Sequence, residues 1–337
     1  MAQSSNTLDR YDIANSVRED FMNTIYNIAP TEVPFTSNVG RGSSDQTYTE
    51  WQIDTLATAN TDNTHIDGDE FAAAALVPPT RVGNYHTISR KDIVISRRAN
   101  IVRKAGRKSE TAYEIAKGAK ELKRDVEAMA TLRRAARAGS STQSMQTAGV
   151  AAWIRTNSQR GTSGTAPTLS GSGGNGYPNA VGTDGTDRGL KETHILNAIR
   201  QCYDAGGNPD TIMVSTQLKQ GVSNYMFTSS ARIATQNQDH MSKPKGGATV
   251  LGAVDMYVSD FGVLSIVPNR FMPTDEVYVL DTEYWELRYL DSYHTEVIAK
   301  VGDHERRMMI VDWTVCSKNE AASAVVADIT EDTAVSA

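Results

Sequence analysis

Residues 109–137 hold the longest periodic stretch of the chain. Ala112, Ile115, Ala119, Leu122, Val126 and Met129 recur at alternating spacings of three and four, with charges on the other faces. Ser109 stands where a helix cap belongs, and Gly139 where a helix stops. The pattern predicts one helix of about 29 residues, about 43 Å long at 1.5 Å per residue. It is too short and too interrupted for a sustained coiled coil. A stripe of that length needs a long partner, so the helix is expected to lie across a sheet or across its neighbours.

What flanks this helix sets the fold class. Residues 191–204 read as a helix with Ile195, Ile199 and Cys202 on one side, and TIMVS (211–215) as a buried strand. A second helix is expected over 216–226 and a polar loop over 228–249. Strand runs follow at 254–267, 276–289, 294–301 and 307–316, punctuated by Pro268, Pro273 and Gly302-Asp303. Strands that follow helices without steady alternation predict an α+β fold and not a doubly wound parallel sheet. No internal repeat is visible.

Upstream, residues 12–28 read as an amphipathic helix on Ile13, Val17, Phe21, Ile25 and Ile28, stopped before Pro30. TYTEWQIDTL (47–56) alternates as a half-exposed strand does, and 82–95 resumes that character. Between them lies a polar, acidic stretch (57–80) with an alanine run and Pro78-Pro79. The result is a long hairpin with an oversized tip, and a tip of that size usually has a function. Residues 139–189 hold eleven Gly and fifteen Ser or Thr. They read as a flexible excursion whose only packing patch is AGVAAWI, around Trp153.

Hydrophobic residues make up 39% and charged residues 22%, which excludes collagen, a coiled coil and wholesale disorder. The net charge of -6 gives no general case for nucleic-acid binding. Its distribution is more informative. Residues 1–90 carry twelve acids, five Arg and no Lys, whereas 91–137 carry fourteen bases and six acids. Such blocks are either solvated faces or two surfaces that meet, within or between subunits. Cys202 and Cys316, far apart in sequence and in no Cys-x-x-Cys motif, are no disulfide scaffold and read as buried free thiols. The start MAQSSNTLDRYD is no signal peptide, and no apolar run reaches the ~18 residues a membrane span needs.

Catalytic and cofactor signatures are missing. GSGGNG (171–176) matches a dinucleotide fingerprint by spelling alone, since a Ser/Thr/Gly tract precedes it and Tyr177-Pro178 follows. No Gly-Lys dipeptide exists, hence no P-loop. The acids Asp67, Asp69 and Glu70 fail the EF-hand register, because Ala74 falls where the bidentate Glu belongs. The six histidines form no metal motif. No cofactor, metal or catalytic residue is expected.

Three stretches resemble one family: IAPTEVPF (28–35) with EWQIDTL (50–56); DAGGNPDTIMVS (204–215); and VPNRFMP (267–273) continuing through VYVLD (277–281) and AKVGDHERR (299–307) to KNEAA (318–322). In this order and spacing they resemble the major head proteins of tailed bacteriophages, which carry the Hong Kong 97 capsid fold. The resemblance implies an N-arm (1–45), an E-loop hairpin (46–98) and a peripheral domain with a spine helix and the Gly/Ser-rich excursion (99–189). An axial domain (190–290) follows, then the peripheral return strands with the C-terminal tail (291–337). It implies a subunit that self-assembles as hexamers and pentamers into an icosahedral or prolate head around double-stranded DNA. A separate scaffolding protein, a portal, and cement proteins are the further partners it implies. Assembly would take place in the host cytoplasm, with the virion as destination and no membrane. Candidate contacts between subunits are Trp51, Asp67, Asp69, Glu70, Tyr85, Arg97, Arg98 and Arg103. In some relatives a loop lysine attacks an asparagine of a neighbour; here no lysine precedes Lys91. The competing readings are another self-assembling phage part, such as a tail or cement protein, and an α+β hydrolase.

Overall fold

The computed structural model describes residues 30–68, 70, 76–228 and 255–330. The helix expected over 12–28 and nearly all of the polar loop expected over 228–249 lie outside these residues. In chain order the elements are α1 (Pro34–Asn38), β1 (Gly40–Ser43), β2 (Tyr48–Ile53), β3 (Thr80–Tyr85), β4 (Thr87–Ser96), α2 (Arg97–Ile101), α3 (Glu110–Thr131) and α4 (Val150–Trp153). Four short strands follow: β5 (Ser158–Gln159), β6 (Thr168–Leu169), β7 (Pro178–Ala180) and β8 (Arg188–Gly189). Next come α5 (Glu192–Asp204), β9 (Thr211–Val214), α6 (Thr216–Thr228), β10 (Met256–Ser259) and β11 (Gly262–Pro268). The chain closes with β12 (Val277–Leu280), β13 (Trp285–Ile298), β14 (His304–Ser317), β15 (Ala324–Val326) and β16 (Ile329–Thr330). Helices and mixed sheets without alternation make this an α+β fold.

Two sheets carry two cores. The four-stranded sheet has the order β1-β13-β14-β4, and α3 lies across it. Leu122, Val126 and Ala130 of α3 are fully buried in the core that also holds Trp285, Trp313 and Val311 of that sheet. Gly118 permits the close crossing: a Cβ there would meet the Met309 sulfur at 3.3 Å and the Ile93 side chain at 3.5 Å. The six-stranded sheet has the order β10-β11-β9-β12-β15-β5. It packs Ile212, Val214, Val277 and Val279 against Ile195, Ile199 and Cys202 of α5 and Leu218 of α6. Cys202 and Cys316 are free and buried, as expected, and burial pushes both thiols up to about 12.

Several expectations are corrected. The long helix starts on its predicted cap, with Ser109 accepting the Ala112 N–H at 3.3 Å, but it ends at Thr131 after 22 residues. Leu132 turns extended so that Arg133 can reach Asp184, Asp275 and Glu276. The run 82–95 is broken at His86: β3 pairs with β2, and β4 pairs with β14 instead. The run 276–289 is split by Asp281, which caps a short turn by accepting the Glu283 N–H. The run 294–301 is the distal end of β13, which stops at Ile298, and 307–316 is most of β14; the two 14-residue strands pair with register shifts at Asp291. The glycine-rich tract is folded as well as anchored. Val150, Ala151, Ala152 and Trp153 are buried, and β5 to β8 each pair with a neighbour.

Glu127, wholly buried on α3, ties three segments together. Its carboxylate accepts the Phe35 and Thr36 N–H groups at 2.8 Å each and the Asn269 amide at 2.7 Å. Desolvation outweighs these bonds and raises its pKa. An acid whose folded pKa is raised contributes stability below its unfolded value and loses it as pH rises through the folded value. Glu127→Ala is expected to lower stability by about 2–4 kcal/mol in urea, since two backbone N–H groups and an amide lose their acceptor. Glu127→Gln should flatten the decline in stability that sets in as pH rises above the ordinary Glu value. Equal slopes in wild type and Glu127→Gln would count against this assignment.

Candidate assembly interface

A hairpin that leaves its own core needs a root, and aromatic residues make it. Trp51 of β2 lies 5.2 Å from Trp153, ring centre to ring centre, and donates its indole N–H to the Ser317 carbonyl at 2.9 Å. Tyr85 of β3 packs on Tyr48 at 4.6 Å and on Tyr177 at 5.0 Å. Burial first, then neighbouring Glu50 and tyrosines, push Tyr48 up to about 12. Asn84 is fully buried between them. Its amide donates to Thr147 at 3.0 Å and to the Val315 carbonyl at 2.7 Å, while its oxygen accepts the Ala148 N–H at 3.0 Å.

The GSGGNG stretch completes the root and is no dinucleotide loop. Gly83 donates to the Gly176 carbonyl at 3.1 Å, Gly176 returns a bond to the Arg81 carbonyl at 2.9 Å, and the Asn175 side chain accepts the Arg81 N–H at 2.8 Å. The loop thus lines the outer edge of β3. Gly176 has φ +94°, a conformation that favours glycine, and a Cβ there would strike Ser170 at 2.4 Å.

Among the described residues beyond Ile53 and Thr80, the hairpin's large apolar side chains are exposed. Leu56 is 99% exposed, Leu76 96%, Val77 84% and Ile66 82%. Asp67 and Glu70 are exposed beside them, and Asp69 lies outside the described residues. Apolar side chains so placed lose their burial energy, roughly 1.5–3 kcal/mol each, unless something covers them.

Two further apolar surfaces stand out. At the far end of the four-stranded sheet Val94, Ile101, Val102, Val297 and Val301 are exposed. A cleft of about 880 Å³ opens there between β4, α2 and the start of α3, lined by Val94, Val102, Arg98, Lys104 and Arg107. At the edge of the six-stranded sheet Met256 and Val258 of β10 and Val263 of β11 are exposed. Sequence reasoning missed both. Periodicity marks these stretches as strands, and only the sheet order and the burial show which edge and face are bare.

Apart from the exposed acids of the tip, the candidate contact residues fall into three groups. Trp51 and Tyr85 pack inside their own chain, half-buried. Arg97 pairs with its own Asp303 at 2.7 Å. Arg98 lines the cleft, and Arg103 is exposed next to it. Inside the cleft Glu110 is already held by Arg107 at 2.6 Å and Lys104 at 3.4 Å, which lowers its pKa.

Among the described residues one set of carboxylates converges. Asp184, Asp275 and Asp328 bring oxygens within 4.8 Å of one another. Arg133 pairs with the first two, and Arg160 lies 3.9 Å from Asp184 and 3.8 Å from buried Glu276. This is an internal ion-pair network that joins the end of α3 to the six-stranded sheet. No helix among the described residues is long and apolar enough to cross a membrane.

Comparison with known proteins agrees with this geometry. A Major capsid protein of Escherichia phage Phieco32 is 26% identical over 341 residues, covering 93% of this chain and 94% of its own. The solved structure of Mycobacterium phage Bobi superposes with a TM-score of 0.58 at 12% identity, covering 96% of this chain and 99% of its own. The cyanophage A-1(L) capsid asymmetric unit gives 0.56 at 14% identity, covering 97% and 100%. These neighbours share the α+β architecture of the Hong Kong 97 type. The model of the SU10 major capsid protein family matches residues 3–330, so this chain belongs to that family and is a structural subunit of a phage capsid, not an enzyme.

Proposed function

We propose that this capsid subunit gathers into hexameric and pentameric capsomers that close an icosahedral or prolate head around double-stranded DNA. Assembly would run in the host cytoplasm with a scaffolding protein and a portal, and a cement protein would find bare surface to cover. The observation that supports this reading best is the hairpin. It is rooted rigidly at Trp51, Asn84 and Tyr85, yet its tip exposes Leu56, Ile66, Leu76 and Val77 with no partner in the described chain. A second copy supplies what such a tip lacks. The N-arm, E-loop, peripheral and axial partition given by the resemblance assigns the hairpin to just that reach. Full-length protein expressed with its scaffold should give closed megadalton particles by sizing and electron microscopy. A stable monomer or dimer as the sole product would overturn the proposal.

Charge gives the contact a direction. Residues 46–89 carry six acids and one Arg, and 90–108 carry eight bases and one acid. Asp67, Asp69 and Glu70 of one copy would face Arg98 and Arg103 of the next, with Arg97 held back by Asp303. Each exposed pair is worth only ~0–1 kcal/mol, so the effect rests on many copies and fades with salt. Arg98→Glu with Arg103→Glu should cut shell yield severalfold while the thermal midpoint of the free subunit stays within about 2 °C. Normal yield from that double variant would rule the pairing out.

The shell should also be free of covalent links through the hairpin. A nucleophilic loop amine must be a lysine, because arginine stays protonated. Lys91 is the first lysine in the chain; it sits in β4 and pairs with Asp125 at 3.1 Å and Glu121 at 3.6 Å. Heads boiled in detergent should run as one band near 36.6 kDa. A ladder that survives reduction would show the opposite.

A further inference from the structure

Asp184, Asp275 and Asp328 come from three separate segments: between β7 and β8, just before β12, and between β15 and β16. One carboxylate oxygen of each lies within 4.8 Å of the other two. The set runs from solvent to interior, since the Asp184 side chain is 61% exposed, that of Asp275 31%, and Asp328 is fully buried. Arg133 pairs with Asp184 and Asp275, and Arg160 stands 3.9 Å from Asp184. Both arginines also face buried Glu276, so two bases serve three acids before Asp328 is counted. Neither pairs with Asp328 itself. Its Oδ2 accepts the Gly161 N–H at 2.8 Å, whereas Oδ1 is buried with no hydrogen-bond partner among the described residues. Arg188 is near enough to feel this charge but donates to the Gln159 and Ala327 carbonyls. A buried carboxylate oxygen without donor or counter-charge is strongly unfavourable unless a cation meets it.

We propose that Asp184, Asp275 and Asp328 bind one calcium ion, with Asp328 Oδ1 as the innermost ligand. The donor set is anionic and all oxygen, which suits a hard divalent cation and not a soft one. Calcium holds its ligands at about 2.3–2.6 Å, so opposite ligands stand about 5 Å apart and a spread of up to 4.8 Å fits around it. Three protein ligands leave the other positions to water, and exposed Asp184 gives ion and water a way in. Arg133 does not fill the site. It holds Oδ1 of Asp184 and Oδ2 of Asp275, which leaves the second oxygen of each carboxylate for the ion. β8 and β16 pair through only two residues each, and the ion would hold the segments that lead into both. It would thereby fasten the Gly/Ser/Thr tract to the six-stranded sheet.

Calorimetric titration of calcium chloride into unassembled full-length subunits, stripped with EDTA and dialysed, tests this. One ion per subunit should bind with a Kd between about 10⁻⁵ and 10⁻³ M, as sites with few protein ligands do. Asp184→Asn, at an exposed position, and Asp328→Asn should each weaken binding by about tenfold or more, because each removes a charged ligand. Asp67→Asn, which changes an acid of the hairpin tip, should leave binding as it is. In hydrogen exchange, calcium should slow the amides of β8 and β16 severalfold in the wild type and not in Asp184→Asn. Should Asp328→Asn fail to fold, Asp184→Asn decides alone. Absence of wild-type binding up to about 5 mM calcium, well above the weakest expected Kd, overturns the proposal. So does wild-type affinity in either folded aspartate variant of the cluster.

Discussion

Glu127 and Arg133 sit six residues apart on and just past α3, and the subunit's two cores meet through them. Glu127 holds the chain at Phe35 and Thr36 on one side and Asn269 on the other. Arg133 pairs with Asp275 and with buried Glu276. Between them the Tyr278 hydroxyl donates to the Thr131 carbonyl at 2.8 Å and lies 2.6 Å from Glu276. Hydrophobic contact alone would let a helix slide over a sheet, since apolar burial has no direction. Buried hydrogen bonds to a carboxylate and a guanidinium fix one placement, because each misplacement strands a polar group in a dry site. That placement in turn sets where β13 and β14 project and where the hairpin departs.

The hairpin follows the same logic with the opposite outcome. Its root spends indole, amide and backbone bonds on the parent chain, so β2 and β3 leave in a fixed direction. The tip then carries apolar residues that nothing in the described chain covers. Trp51 and Tyr85 look like interface residues in the sequence because aromatic residues in a half-exposed strand usually are. Here they brace the lever from inside their own chain.

Much of this was legible in the sequence. The 3-4 spacing of Ile115, Leu122, Val126 and Met129 located α3, Ser109 marked its start, and the β-prone TIMV segment marked a buried strand. What could not be read was set by distant partners. Leu132 to Ala136 are good helix formers, yet the helix ends before them because Arg133 is worth more against Asp275 and Glu276 than in another turn. Gly149 seals that end, for a Cβ there would fall 2.1 Å from the Leu132 carbonyl. The Gly/Ser/Thr tract reads as a linker by composition, but glycine also serves where backbones touch. Gly161 and Gly185 lie against each other in this way, and Gly176 lies against Arg81. The bare surfaces at Val94, Val297 and Met256 depend on sheet order, which no local pattern encodes.

A shell must close with curvature that varies from site to site, and this places contrary demands on its subunit. The body has to be stiff, or errors in angle accumulate around the shell. The contacts have to be individually weak, or misplaced subunits never leave. The division seen here meets both. Stiffness comes from buried, directional bonds at Glu127, Arg133 and Asn84, whose loss costs more than about 1 kcal/mol each. Under the contacts proposed above, exposed apolar side chains and screened charges at the hairpin tip and sheet end would each be of modest strength and able to re-pack. Because these residues are not the ones that hold the fold together, a subunit would let go of a neighbour there without loosening its own fold.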